Sequence, residues 1–172
     1  MCESGFSGIW YCQSFCNAKW LIKSTHRKLK DIFIQNWHAE ICQTSDTNLY
    51  KYFKNTFERN VYFDKLSFFQ CKNIIRFLTR NHRLPIETGR WQNKPVNERK
   101  CITCSDIGDE YHYLFVCPIF VNYRLKYIDE HYRTRPCMDK FISLINSNDV
   151  LLLKNFSLFC GKIIITSLKR TD

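Results

Sequence analysis

Four side chains able to bind a metal fall in one short run, Cys101, Cys104, His112 and Cys117, spaced Cys-x2-Cys-x7-His-x4-Cys. Few features constrain a chain more, because an ion held by three thiolates and one imidazole pins four points of the backbone to a tetrahedron. The two-residue gap lets one tight turn aim Cys101 and Cys104 at the same ion. Gly108 gives the loop backbone freedom. Asp109 is placed to cap a short helix carrying His112. Pro118 suits the first turn of the next helix, which puts Cys117 where a helix N-terminus favours a thiolate. Protein would fill all four positions, so the pattern predicts one structural Zn2+ rather than a catalytic ion with an open position. With ten cysteines in the chain, some pairs fall two residues apart by chance. The His and the fourth Cys at workable spacing argue against coincidence.

The chain of 172 residues can build one domain or two small ones. Fourteen Phe and nine Tyr supply core. Lys and Arg number 26 against 16 Asp and Glu, a formal charge of +10 that suits a polyanion such as nucleic acid or an acidic membrane surface. The first twenty residues, with Glu3, Gly5, Gly8 and Gln13, show no secretory pattern. The expectation is therefore an intracellular chain, in nucleus or cytoplasm, with reduced cysteines. Residues 151–168 form the most apolar stretch, but Lys154 and Lys162 interrupt it. A buried or amphipathic helix explains it better than a membrane span.

The periodicity predicts a mainly α fold, a small helical domain with an embedded zinc knuckle. Residues 1–62 read as an N-terminal helical segment; residues 63–172 read as a basic helix, the knuckle and C-terminal helices. Leu29, Ile32, Phe33, Trp37 and Ile41 lay a stripe along a helix from about Ala18 to Cys42. A polar cluster, Thr44 to Asn48, ends it, and Leu49 to Phe57 is ambiguous between helix and strand. Asp64 is the expected cap of a second helix burying Phe68, Cys71, Ile74, Ile75 and Leu78, with Asn81 its left-handed terminus. Leu84 must leave the helix because Pro85 follows. Residues 83–100 read as an extended connector, and further helices are expected over about 118–130, 139–146 and 149–168.

Lys72, Arg76, Arg80, Arg83, Arg90, Lys94, Arg99 and Lys100 cluster against only Glu87 and Glu98. With His82 and Trp91 among them, these residues could track a phosphate backbone and stack an unpaired base; a solvated helix face with Trp91 in the core is the plainer alternative. A second basic run, Lys19, Lys23, His26, Arg27, Lys28 and Lys30, reads as a wet helix face. The loop 105–111 carries Asp106, Asp109 and Glu110 and no base, so it repels phosphate. Tyr111, Tyr113 and Phe115 suit a miniature core better than base stacking. Cys12, Cys16, His38 and Cys42 could form a second metal site, or simply be buried. There is no phosphate-binding Gly loop, nucleophile elbow or His-Glu-x-x-His. Asp129, Glu130 and His131 point in different directions on a helix end. No catalytic residue is expected.

The runs Asn81 to Trp91, Glu98 to Cys104 and Gly108 to Pro118 resemble the tail of reverse transcriptases from non-long-terminal-repeat retrotransposons of the jockey-like kind. The similarity is strongest from about Ile75 to Glu130 and looser in the first helix. It implies a knuckle with ligands Cys101, Cys104, His112 and Cys117 that helps the polyprotein handle template RNA or target DNA. The polymerase's Tyr-x-Asp-Asp turn is absent, since no two Asp residues are adjacent, and Pro136-Cys137 stands where related nucleases carry Pro-Asp. The chain thus looks like a tail separated from its enzyme, a truncated element copy or a late-starting gene model.

The expected function is zinc-stabilised binding of RNA or single-stranded DNA through Arg76, Arg80, His82, Arg83, Arg90, Trp91, Lys94, Arg99 and Lys100. The alternatives are a structural-zinc scaffolding module that docks a reverse transcriptase core, or a decayed relic. No membrane partner is expected.

Overall fold

The computed structural model describes residues 7–12, 17–43, 49–54 and 56–168. The chain divides into two compact units, Met1–Phe57 and Glu58–Asp172. Helices dominate both, and among the described residues the nearest approach to a sheet is one antiparallel bridge, Lys100 to Ile107.

The first unit holds α1 (Ser7–Cys12), α2 (Ala18–Gln43) and α3 (Tyr50–Phe53). The predicted stripe on α2 is only partly covered. Phe33 and Trp37 each meet the Phe57 ring edge-on at 5.3 Å, Leu29 stays exposed, and no α2 residue is fully buried. The early basic run is exposed along its length. The polar cluster 44–48 lies outside the described residues, as do Cys16 and the Cys12 side chain.

The second unit contains α4 (Tyr62–Lys65), α5 (Phe68–Leu78), α6 (Pro85–Trp91), α7 (Val121–Tyr127), α8 (Glu130–Arg133), α9 (Met138–Ile145) and α10 (Val150–Leu168). Helix α10 is long and apolar enough to cross a membrane, yet its Leu153, Phe156, Phe159, Cys160 and Ile163 are sealed inside the unit. It packs chiefly on α5 and also on α7 and α9. Phe156 meets Phe77 and Phe141 edge-on at 6.5 and 6.4 Å, the geometry aromatic quadrupoles favour. Ser157 Oγ donates to the Gln70 carbonyl at 2.8 Å, fixing the register of α10 on α5.

Four local expectations are corrected. Helix α5 starts at Phe68, capped by Ser67 and Gln70 in a capping box with the Gln70 side chain accepting from Ser67 N–H at 3.0 Å; Asp64 instead pairs with Arg59. The face α5 buries is Cys71, Ile74, Phe77 and Leu78, while Phe68 is left in solvent. Its left-handed terminus is Arg80, φ 60°, rather than Asn81; Asn81 N–H reaches back to the Arg76 carbonyl at 2.9 Å in a Schellman closure. The segment expected to be an extended connector contains α6 and a short 3-10 turn, Val96–Glu98. Leu84 is extended as Pro85 requires, but Pro85 then opens a new helix as its first residue.

Candidate metal centre

Residues 99–108 form a tight hairpin: Cys101 N–H donates to the Asp106 carbonyl at 2.7 Å and Gly108 N–H to the Arg99 carbonyl at 2.9 Å. The chain reverses through Ser105, φ 60°, a position seldom open to residues with a side chain. Gly108 matters for space: a Cβ there would lie 2.8 Å from the Pro85 ring. Asp109 Oδ1 accepts from His112 N–H at 2.7 Å, the predicted cap. His112–Val116 then winds as a π-turn, with Cys117 N–H bonded to the His112 carbonyl at 2.8 Å. That wider turn returns Cys117 to the side of the hairpin.

The four ligand atoms consequently lie within 4.8 Å of one another and could hold a metal ion. Cys101 Sγ and Cys117 Sγ are 3.8 Å apart. A tetrahedron with metal–sulfur bonds of about 2.3 Å has edges of about 3.8 Å, so this pair fits. Cys104 Sγ and His112 Nε2 are closer, 3.0 Å, and open slightly to admit an ion. His112 Nδ1 looks toward Asp106 Oδ2 at 3.9 Å, within the reach of electrostatic orientation.

Three sulfurs this close cannot all ionise without a cation among them. Burial pushes the Cys101 thiol up, but hydrogen bonds from Tyr113 and from the Thr103 and Cys104 backbone outweigh it and bring it to about 6. Cys117 is pushed up to about 12, first by burial and then by the charge of Cys101. Cys104 is raised by burial and by the same neighbour. A divalent ion supplies the missing compensation and would draw all three into the thiolate form.

The centre is anchored from beneath by buried polar groups. Arg124 donates to the Leu114 and Cys117 carbonyls at 2.7 and 2.9 Å, satisfying acceptors that the π-turn leaves open. Burial pulls its pKa below the usual guanidinium value, against the pull of Cys117. Arg80 lies 3.4 Å from Glu87 Oε1 and 3.3 Å from Glu110 Oε1, and His82 Nε2 lies 3.1 Å from the same Glu110 oxygen. Both carboxylates are essentially sealed from solvent. Glu110 stands two residues before His112, so this network ties the ligand-bearing turn to α5 and α6.

Arg80 and His82 are therefore corrected: expected to face phosphate, they are spent inside the protein on Glu110. Desolvating two carboxylates requires a cation nearby. Arg90 grips Glu87 Oε2 at 2.7 Å with its outer edge still exposed. Arg76 turns to the Asn81 carbonyl at 3.3 Å, and Arg99 donates to the Lys94 and Ile86 carbonyls at 2.9 and 3.3 Å. Arg83, Lys94 and Lys100 are exposed; Trp91, 56 % exposed, is not core. Tyr113 and Phe115 are buried, and Tyr111, Tyr113 and Phe115 join the knuckle to the helices through Phe120 and Phe141. Arg124 escaped the sequence reading, although its place four residues from both Phe120 and Ile128, on their buried side, carried the signal.

No protein-family model, curated protein or solved structure matches the chain.

Proposed function

We propose that the chain is a zinc-stabilised module that binds RNA or single-stranded DNA, of the kind that ends jockey-like reverse transcriptases, without a polymerase core or catalysis of its own. The observation that carries this reading is the convergence of Cys101, Cys104, His112 and Cys117 in a chain of charge +10. Three thiolates and one imidazole in a closed tetrahedron suit Zn2+ above other divalent ions. The contact surface in this reading draws on the exposed residues Arg83, Trp91, Lys94 and Lys100, which offer cations and an aromatic face.

The test is titration of fluorescent single-stranded RNA with the metal-loaded chain across a salt series, with a DNA duplex for comparison. Binding should be micromolar or tighter and weaken steeply with salt. Lys94→Glu with Lys100→Glu should lower affinity about tenfold or more and flatten the log–log salt slope by about two, one for each phosphate no longer neutralised. Absence of binding at low salt would overturn the reading.

One observation favours a second reading, an interaction module whose zinc only fixes the fold: the second unit leaves large apolar side chains of α5 in solvent.

A further inference from the structure

A groove of about 780 Å³ lies on α4 and α5, lined by Phe63, Leu66, Phe68 and Ile75 together with Lys72 and Arg76. Phe68 is 75 % exposed and Phe69 beside it 74 %. Exposed rings at adjacent positions, next to a concave apolar surface, mark a contact site rather than scattered surface residues. Phe68, Lys72, Ile75 and Arg76 follow one another along a single face of α5, at steps of four, three and one, so the groove runs parallel to a helix axis. A groove of that form is filled by the apolar row of a second helix, with anchors at i, i+3 or i+4, and i+7.

Charge selects the partner. The side chains lining the groove include two cations and no acid. We propose that this groove binds an amphipathic helix of another protein, one that sets Asp and Glu beside its apolar row. A nucleic acid fits less well: the lining is mostly apolar, and two cations are too few to follow a phosphate chain. The groove is distinct from the set Arg83, Trp91, Lys94 and Lys100, so the proposal stands or falls independently of the nucleic-acid reading.

The experiment uses the full metal-loaded chain and a fluorescein-labelled amphipathic peptide of about five helical turns, Leu along one face and Glu on both flanks. A peptide of the same composition in scrambled order and one with Lys replacing Glu serve as controls. Saturable binding of the Glu peptide alone is expected. Phe68→Ser should weaken it about tenfold. The pair Lys72→Glu and Arg76→Glu should reverse the preference, so that the Lys peptide now binds. Both positions leave the core untouched, and unchanged circular dichroism confirms folding. Three results would overturn the proposal: no saturable binding of the Glu peptide, equal binding of the scrambled peptide, or indifference of the Glu peptide to these substitutions; loss in the same variants of binding to single-stranded RNA or to anionic phosphatidylserine vesicles would then assign the groove to those ligands instead.

Discussion

The knuckle, residues 99–124, and the helical core of α5, α9 and α10 share one unit but are held by different forces. The core is aromatic and aliphatic packing: Phe77, Phe141, Phe156 and Phe159 touch no solvent, and these rings carry no group that titrates or binds a metal. The knuckle adds Tyr113, Leu114, Phe115 and Phe120 to the buried apolar set, but polar groups close it. It is drawn together by four ligand atoms, a guanidinium under its carbonyls, and two buried carboxylates paired with Arg80, Arg90 and His82. Packing tolerates change in solution conditions; a polar assembly of this kind is sensitive to loss of any one member. The two halves should therefore separate under chemical challenge.

Metal removal is the strongest challenge. Structural zinc commonly contributes about 10 to 16 kcal/mol of binding free energy, as much as a whole domain's stability. A strong chelator should open residues 95–130 to protease while α5 and α10 keep most of their helical signal. Affinity should also fall as pH drops, because Cys104 and Cys117 bind protons more readily than an ordinary thiol and those protons compete with the ion. Limited proteolysis with and without chelator decides the matter. Indifference to chelation would remove the metal centre, and simultaneous loss of all helicity would show the halves to be one cooperative body.

Next in size is the buried network. Arg80→Leu keeps an apolar body at the end of α5 but leaves Glu87 and Glu110 without the cation between them, and breaking such a pair costs about 3 to 5 kcal/mol. Relief of the left-handed backbone is not on offer with Leu. Chemical denaturation should show this loss together with weaker metal binding, since Glu110 leads into the His112 turn. A surface role for Arg80 predicts the opposite, unchanged stability with weaker nucleic-acid binding.

The same contrast explains what could be read in advance. The helices of the core were legible because apolar residues recur at helical spacing, as from Cys71 to Leu78 and from Leu153 to Ile164. The grouping of Cys101, Cys104, His112 and Cys117 was legible because metal-ligand spacing is local, and so was the Asp109 cap. What misled was charge: Arg76, Arg80, Arg90 and Arg99 count identically in a sequence, yet Arg80 faces inward between Glu87 and Glu110, Arg90 clasps Glu87, and Arg76 and Arg99 are turned to backbone carbonyls. The acid partners of Arg80 lie seven and thirty residues away, too far for any local pattern. Pro85 misled in another way, since a proline that ends one helix is equally suited to begin the next. The groove on α5 was invisible because Phe68 matches the helical period of the buried face and only the docking of α10 shows which side is covered.

The smallest effect sharpens the comparison from the apolar side. Ser67 and Gln70 close the start of α5, the helix on which α10 rests, whereas Asp64 only meets Arg59 in solvent. Ser67→Ala should therefore cost about 1 kcal/mol, the usual worth of an N-cap, read as a shift of a few degrees in the melting of the helical core. Asp64→Ala should move the same transition far less, because an exposed ion pair gains little beyond what water and salt already provide. Neither change should alter metal affinity, since neither residue touches the network around Glu110. An equal loss from both substitutions would return Asp64 to the role of cap, and a fall in metal affinity with Ser67→Ala would show that the start of α5 and the candidate metal centre are coupled through Arg80 at its other end.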